Sequence, residues 1–108
     1  MNTMRISPKT ALLQALISGE GYGLELIQRV KDRTNGELTF PQGTIYPALR
    51  DLERDGLVES FEGESLPERG GRPRIYYRLT GEGRRAAFEE RRNVLQFFRA
   101  GEPDPVLG

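Results

Sequence analysis

The sequence predicts an α+β chain that is mainly α: three short helices, a two-stranded hairpin and one longer closing helix. Three observations predict it. Apolar residues recur at helical spacing in four separate stretches, whereas residues 57–62 and 74–79 alternate as strands do. Glycine, proline and capping hydroxyls punctuate the junctions between these stretches.

Ser7 before Pro8 reads as an N-cap followed by proline at the first helical position, where no intrahelical donor is lost. Ala11, Leu12, Ala15 and Leu16 then share one face until Ser18-Gly19. Gly19, Gly21 and Gly23 interrupt the pattern, after which Leu24, Ile27 and Val30, with Leu26 alongside, mark a second helix ending near Asn35-Gly36. A third helix opens around Pro41-Gln42-Gly43-Thr44 and carries Ile45, Leu49 and Leu52 on one side until Gly56 stops it. Proline lacks an N–H and clashes with the preceding turn, so Pro47 is expected in or just after the first turn, with Gly43 or Thr44 as the cap.

Leu57 to Glu62 alternates loosely, Gly63 to Pro73 is rich in glycine, proline and charge, and Arg74 to Leu79 alternates cleanly. Ile75, Tyr77 and Leu79 take one face of that strand, and Arg74, Tyr76 and Arg78 take the other. Thr80 is placed to cap the last helix, whose stripe of Ala87, Phe88, Val94, Leu95 and Phe98 is broken only by Arg91. The tail 102–108 has no periodicity and is expected to be flexible. The chain contains no internal repeat.

Composition narrows the function classes. Hydrophobic residues make up 36% and charged residues 30%, and no apolar run approaches the roughly 20 residues that span a bilayer. Met1 to Ile6 lacks a stretch of signal-peptide length, so a cytoplasmic protein with no membrane partner is expected. Cysteine and histidine are both absent, which removes thiolate nucleophiles, imidazole bases and the softer metal ligands together. No catalytic residue, metal or cofactor is predicted. Gly19-x-Gly21-x-Gly23 has the spacing of part of a dinucleotide loop, but it follows a helix rather than a strand.

The order helix, helix, helix, strand, wing, strand is that of a winged helix-turn-helix, whose third helix normally enters the DNA major groove. A formal net charge of zero weighs against a nucleic-acid binder unless the basic residues are gathered in one place. With Ile45, Ala48, Leu49 and Leu52 facing the core, the rotation of 100° per residue turns Tyr46, Pro47, Arg50 and Arg54 outward. The positive end of the helix dipole favours a phosphate beside Gln42 and Thr44. In the hairpin, Arg69, Arg72, Arg74 and Arg78 are opposed locally only by Glu68, and a basic, glycine-rich tip suits a minor groove. The expected DNA contacts are therefore Gln42, Thr44, Tyr46, Arg50, Arg54, Arg69, Arg72 and Arg74, with Tyr22 added as a phenol near phosphate.

Four blocks resemble the PadR family of transcriptional regulators: Gly21-Tyr22-Gly23-Leu24, then Gly43-Thr44-Ile45-Tyr46-Pro47-Ala48-Leu49, Leu52-Glu53-Arg54-Asp55-Gly56-Leu57-Val58, and the run Gly71-Arg72-Pro73-Arg74-Ile75-Tyr76-Tyr77-Arg78-Leu79-Thr80. The resemblance implies a cytoplasmic, nucleoid-associated repressor that binds double-stranded DNA at a pseudo-palindromic operator and is often released by a small-molecule effector. It also implies a homodimer joined through the C-terminal helix, and the short length is that of the subclass with one such helix. The domains expected are 1–80 for DNA binding and 81–101 for dimerisation, with Phe88, Val94, Leu95, Phe97 and Phe98 at the dimer interface. Some short members hold planar drugs between tryptophans, and this chain has none. The alternative is a winged helix that binds protein or RNA, favoured by Asp51, Glu53 and Asp55 on the third helix.

Overall fold

The computed structural model describes residues 5–65 and 67–101; the side chains of Ser65, Arg69, Phe98 and Ala100 lie outside the described set, as does the tail beyond residue 101. The elements run α1 (Pro8–Leu16), β1 (Gly21–Tyr22), α2 (Gly23–Arg33), α3 (Gln42–Arg54), β2 (Val58–Ser65), a 3-10 turn (Pro67–Arg69), β3 (Pro73–Leu79) and α4 (Gly81–Gly101). The three helices and the strands form a winged helix, with α4 lying across α1 and the end of β3. Among the described residues no helix is long and apolar enough to cross a membrane.

Capping hydroxyls set two of the helix starts as their sequence positions predict. Ser7 Oγ accepts from Thr10 N at 3.1 Å, and Thr80 Oγ1 accepts from Gly83 N at 3.0 Å, each satisfying a donor that the first helical turn leaves free. At the end of α3, Gly56 takes φ 77°. There Leu57 N donates to Leu52 O and Gly56 N to Glu53 O, at 2.9 and 3.0 Å. This is the paired closure that a left-handed glycine permits.

The start of α3 differs from expectation. Pro41 is its cap, and Thr44 N and Ile45 N both donate to Pro41 O, at 2.9 and 3.1 Å. Pro47 consequently stands in the second turn, inside the helix. Its ring forgoes only the bond to Gly43 O, and Gly43 is exposed, so that carbonyl is open to solvent. The buried face of α2 also differs: it is Gly23, Leu26 and Val30, while Leu24 is 49% exposed and Ile27 half-buried. Leu24 and Leu26 lie about 200° apart around the helix, so only one of them can face inward.

The sheet has three strands rather than two. The order is β1-β3-β2, antiparallel throughout, with Tyr22 opposite Tyr76 and Phe61 opposite Tyr76 on the other side. The register of β2 with β3 shifts between Glu62 and Ser65, near the wing tip. Leu12, Leu26, Ile45, Leu49, Leu52 and Val58 form the fully buried centre, joined by Tyr77 from the sheet and Ala87 from α4. Each large aliphatic buried there contributes about 1.5–3 kcal/mol. Ile75 shares the inward face of β3 yet is 42% exposed, because the hairpin runs out beyond the helices.

Candidate nucleic-acid interface

The turn between α1 and α2 is built around Arg29. Its Nη1 donates to Ala15 O and Gly19 O at 2.9 and 2.8 Å, and its Nη2 to Glu20 O at 3.1 Å. These bonds satisfy carbonyls left open at the end of α1 and present Gly21 and Tyr22 to the edge of β3. Nothing in the hydrophobic pattern marks Arg29; three interrupting glycines are the nearest signal. Gly23, immediately after, is buried against Tyr46: a Cβ there would lie 2.6 Å from Tyr46 Cε1 and Cζ.

That contact corrects the expected orientation of Tyr46. Its ring is half-buried and packs on the core and on Gly23, so it ties α2 to α3 instead of standing outward. Pro47 and Arg50 are exposed as the helical rotation predicts, Gln42 is exposed at the first turn, and Thr44 is half-buried. Arg54 is 70% exposed but engaged on its own helix, with Nη2 3.0 Å from Asp51 Oδ1 and Nε 3.8 Å from Asp55. Such pairs on a wet surface are worth little and open readily.

In the wing the arginines separate into two groups. Arg72 is exposed and, among the described residues, makes no ion pair. Arg74 is half-buried, with Cζ 4.4 Å from the centre of the Tyr22 ring. Arg78 is not free, contrary to the sequence reading: its Nε lies 2.7 Å from Glu59 Oε1 directly across the strands, and its Cζ sits 4.7 Å above Phe61. Glu59 was invisible as a partner because pairing depends on register, not on sequence distance. The Arg69 side chain lies outside the described residues.

Between Arg74 and Arg78 runs a row of rings across all three strands. Tyr22 meets Tyr76 edge-on at 5.5 Å, and Tyr76 stacks on Phe61 at 5.6 Å. Tyr76 also covers Gly63, where a Cβ would come within 2.6 Å of its Cδ1. Alternation within Arg74-Ile75-Tyr76-Tyr77-Arg78 hinted at this face, but Phe61 and Tyr22 join it only through pairing.

Tyr77 faces the opposite way and is 8% exposed. Burial chiefly, then the charges of Glu53 and Tyr46, push its phenol above its ordinary value, while nearby Arg50 opposes the shift. The neutral phenol is thus favoured in the fold, and stability present below the unfolded value of about 10 is lost as pH rises through the folded one. Tyr77→Phe is expected to reduce this alkaline destabilisation, read as Tm against pH from 9 to 11, a range chosen about the ordinary tyrosine value.

On α4, Phe88, Val94, Leu95 and Phe97 are 44%, 49%, 52% and 75% exposed, and the Phe98 side chain lies outside the described residues. Ala87 and Glu90 face α1 instead: Gln14 Nε2 donates to Ala87 O at 2.8 Å, and Thr10 Oγ1 donates to Glu90 Oε2 at 2.9 Å. Beside that contact a groove of about 750 Å³ opens, lined by Ile6, Thr10, Gln14, Arg91, Val94 and Leu95 among others.

The profile of the transcriptional regulator PadR-like family matches residues 12–89. A transcriptional regulator of Mycobacterium tuberculosis is 34% identical over 95 residues, covering 88% of this chain and 82% of that protein. Among solved structures, a transcriptional regulator from Clostridium thermocellum aligns with a TM-score of 0.73 at 27% identity, over 86% of this chain and 84% of that one. A PadR-like transcription factor from Bacteroides fragilis aligns with a TM-score of 0.72 at 28% identity, over 85% and 84%.

Proposed function

Because this chain belongs to the PadR-like family of transcriptional regulators, whose members are not enzymes, we propose that it is a homodimeric repressor of transcription that binds a pseudo-palindromic duplex operator in the cytoplasm, at the nucleoid. The observation that carries the reading is the placement of Arg50 and Arg72. Both are exposed and unpaired among the described residues, one on the outward side of α3 and one beyond the Gly70-Gly71 turn of the wing. A guanidinium held out on a helix face presents a planar fork to guanine or phosphate. Gln42 and Thr44 add polar groups at the positive end of α3, where a phosphate is favoured. Arg54 joins them once its surface pairs with Asp51 and Asp55 open, and Arg69 lies on the same basic loop.

Tyr46 and Tyr22 serve the interface from beneath, as packing for α3 and the wing. The half-exposed stripe on α4 supplies the seam for the second copy, since a row of apolar side chains open to water is stabilised by covering it. The groove between α1 and α4 falls in the size class of small-molecule sites and shares Val94 and Leu95 with that seam. An effector seated there would change how the two copies meet, and so the spacing of their α3 helices.

Selection of bound duplexes from a random pool, followed by a salt titration, tests the reading. A palindromic consensus is expected. Arg72→Ala should flatten the dependence of log K on log salt by about 1.8 at every sequence, about 0.9 for each of the two copies. Arg50→Ala should instead relax preference at particular base pairs, at a cost of about 1–3 kcal/mol. A uniform loss in Arg50→Ala would make that residue a phosphate contact. No enrichment of any duplex would leave the protein- or RNA-binding alternative.

A further inference from the structure

We propose that Arg74 is a positioning residue: laid over Tyr22, it braces the wing against the strand that opens α2 and leaves Arg72 as the wing's phosphate contact. The proposal rests on the duplex-binding reading above and divides labour within the same basic loop.

β1 is two residues long, so its ladder with β3 supplies few hydrogen bonds, and a wing attached by them alone would swing. Side chains on the outer face supplement that attachment. Tyr22 meets Tyr76 edge-on, Tyr76 stacks on Phe61, and Arg74 and Arg78 cover the two ends of the row. Cation and ring attract through the ring's quadrupole, more strongly where water is excluded. Tyr22 is followed directly by Gly23, which is filled against Tyr46 of α3. A continuous path of packed groups therefore runs from Arg74 through Tyr22 and Gly23 to the helix that carries Arg50.

Two further observations separate Arg74 from a phosphate contact. Its Nε is sealed from solvent and, among the described residues, makes no hydrogen bond, which closes the side-on fork of Nε and Nη2 to a phosphate. The groove it borders is also lined by Glu20 and Glu64, so an incoming phosphate would meet two carboxylates. Neither condition holds for Arg72, which follows the two left-handed glycines, is exposed and has no ion pair among the described residues.

The test compares Arg72→Ala, Arg74→Ala, Tyr22→Leu, Tyr22→Phe and the Arg74→Ala/Tyr22→Leu double variant. Binding of a fixed duplex of mixed sequence is titrated with NaCl, and amide exchange across residues 58–79 is followed without DNA. Arg72→Ala should lose about 1.8 of salt slope, about 0.9 from each copy of the dimer, with its exchange unaltered. Arg74→Ala and Tyr22→Leu should each bind about three- to tenfold more weakly at unchanged slope, with faster exchange in the wing. The double variant should be no worse than either single one, because both remove the same contact, and Tyr22→Phe, which keeps the ring, should behave as the parent. A slope reduced by about 1.8 in Arg74→Ala, as for Arg72→Ala, with wing exchange unaltered, would overturn the proposal. So would additive losses in the double variant. If Tyr22→Leu does not fold, the slope and exchange of Arg74→Ala decide alone. If the parent chain binds no duplex, the functional reading fails, while the exchange data still decide whether Arg74 braces the wing.

Discussion

Gly83→Ala is expected to lower stability by about 3 kcal/mol or more, through a collision that the fold cannot relieve. A Cβ at residue 83 would lie 2.7 Å from the Leu57 carbonyl carbon and closer still to its oxygen. That oxygen cannot withdraw cheaply, because it accepts from Thr80 N at 3.1 Å. Leu57 N is itself committed to Leu52 O in the closure of α3. On the other side, Gly83 N is held by Thr80 Oγ1, whose own proton goes to Gly56 O at 2.6 Å. The end of α3, the start of β2 and the first turn of α4 therefore interlock, and one methyl group must displace a helix or break the knot. For a chain of this size that cost corresponds to a fall in Tm on the order of 10–20 °C by thermal melting. An unchanged Tm would mean that α4 stands farther from Leu57 than described.

Leu95→Asp is expected to convert the proposed dimer into monomers while leaving each copy folded. Leu95 is 52% exposed in the single chain, so a polar replacement there costs the monomer little. In a two-fold seam the same substitution appears twice and places two carboxylates in apolar surroundings. The desolvation cost of several kcal/mol should raise the dimer dissociation constant about a thousandfold or more. Sedimentation at several concentrations measures it. A dimer that persists at the parent's affinity would place the seam away from this stripe.

How much was legible depends on the range of the interaction. The core face of α3, Ile45, Ala48, Leu49 and Leu52, follows from spacing alone and is buried as read. The Ser7 and Thr80 caps act within three residues and were equally plain. The start of α3 was misplaced because the proline rule describes an interior cost, and α3 accommodates that cost on its exposed side. In α2, Leu24 and Leu26 are equally apolar, and only the position of the sheet and α3 selects between them. Arg54 beside Asp51 and Asp55 could have been read as a local pair, since side chains three apart on a helix meet.

By itself the sequence determined the mainly helical α+β class, the order of elements, most of the buried apolar set and the concentration of arginine near the wing. These properties arise from periodicity and from caps, which act between residues a few positions apart. Tertiary structure alone decided that Gly21–Tyr22 forms a third strand, that Glu59 neutralises Arg78, and that Arg74 lies on Tyr22 while Arg72 is exposed and unpaired among the described residues. Each of these depends on strand register between segments about 20 to 55 residues apart, and register is chosen by how whole faces pack rather than by any local preference.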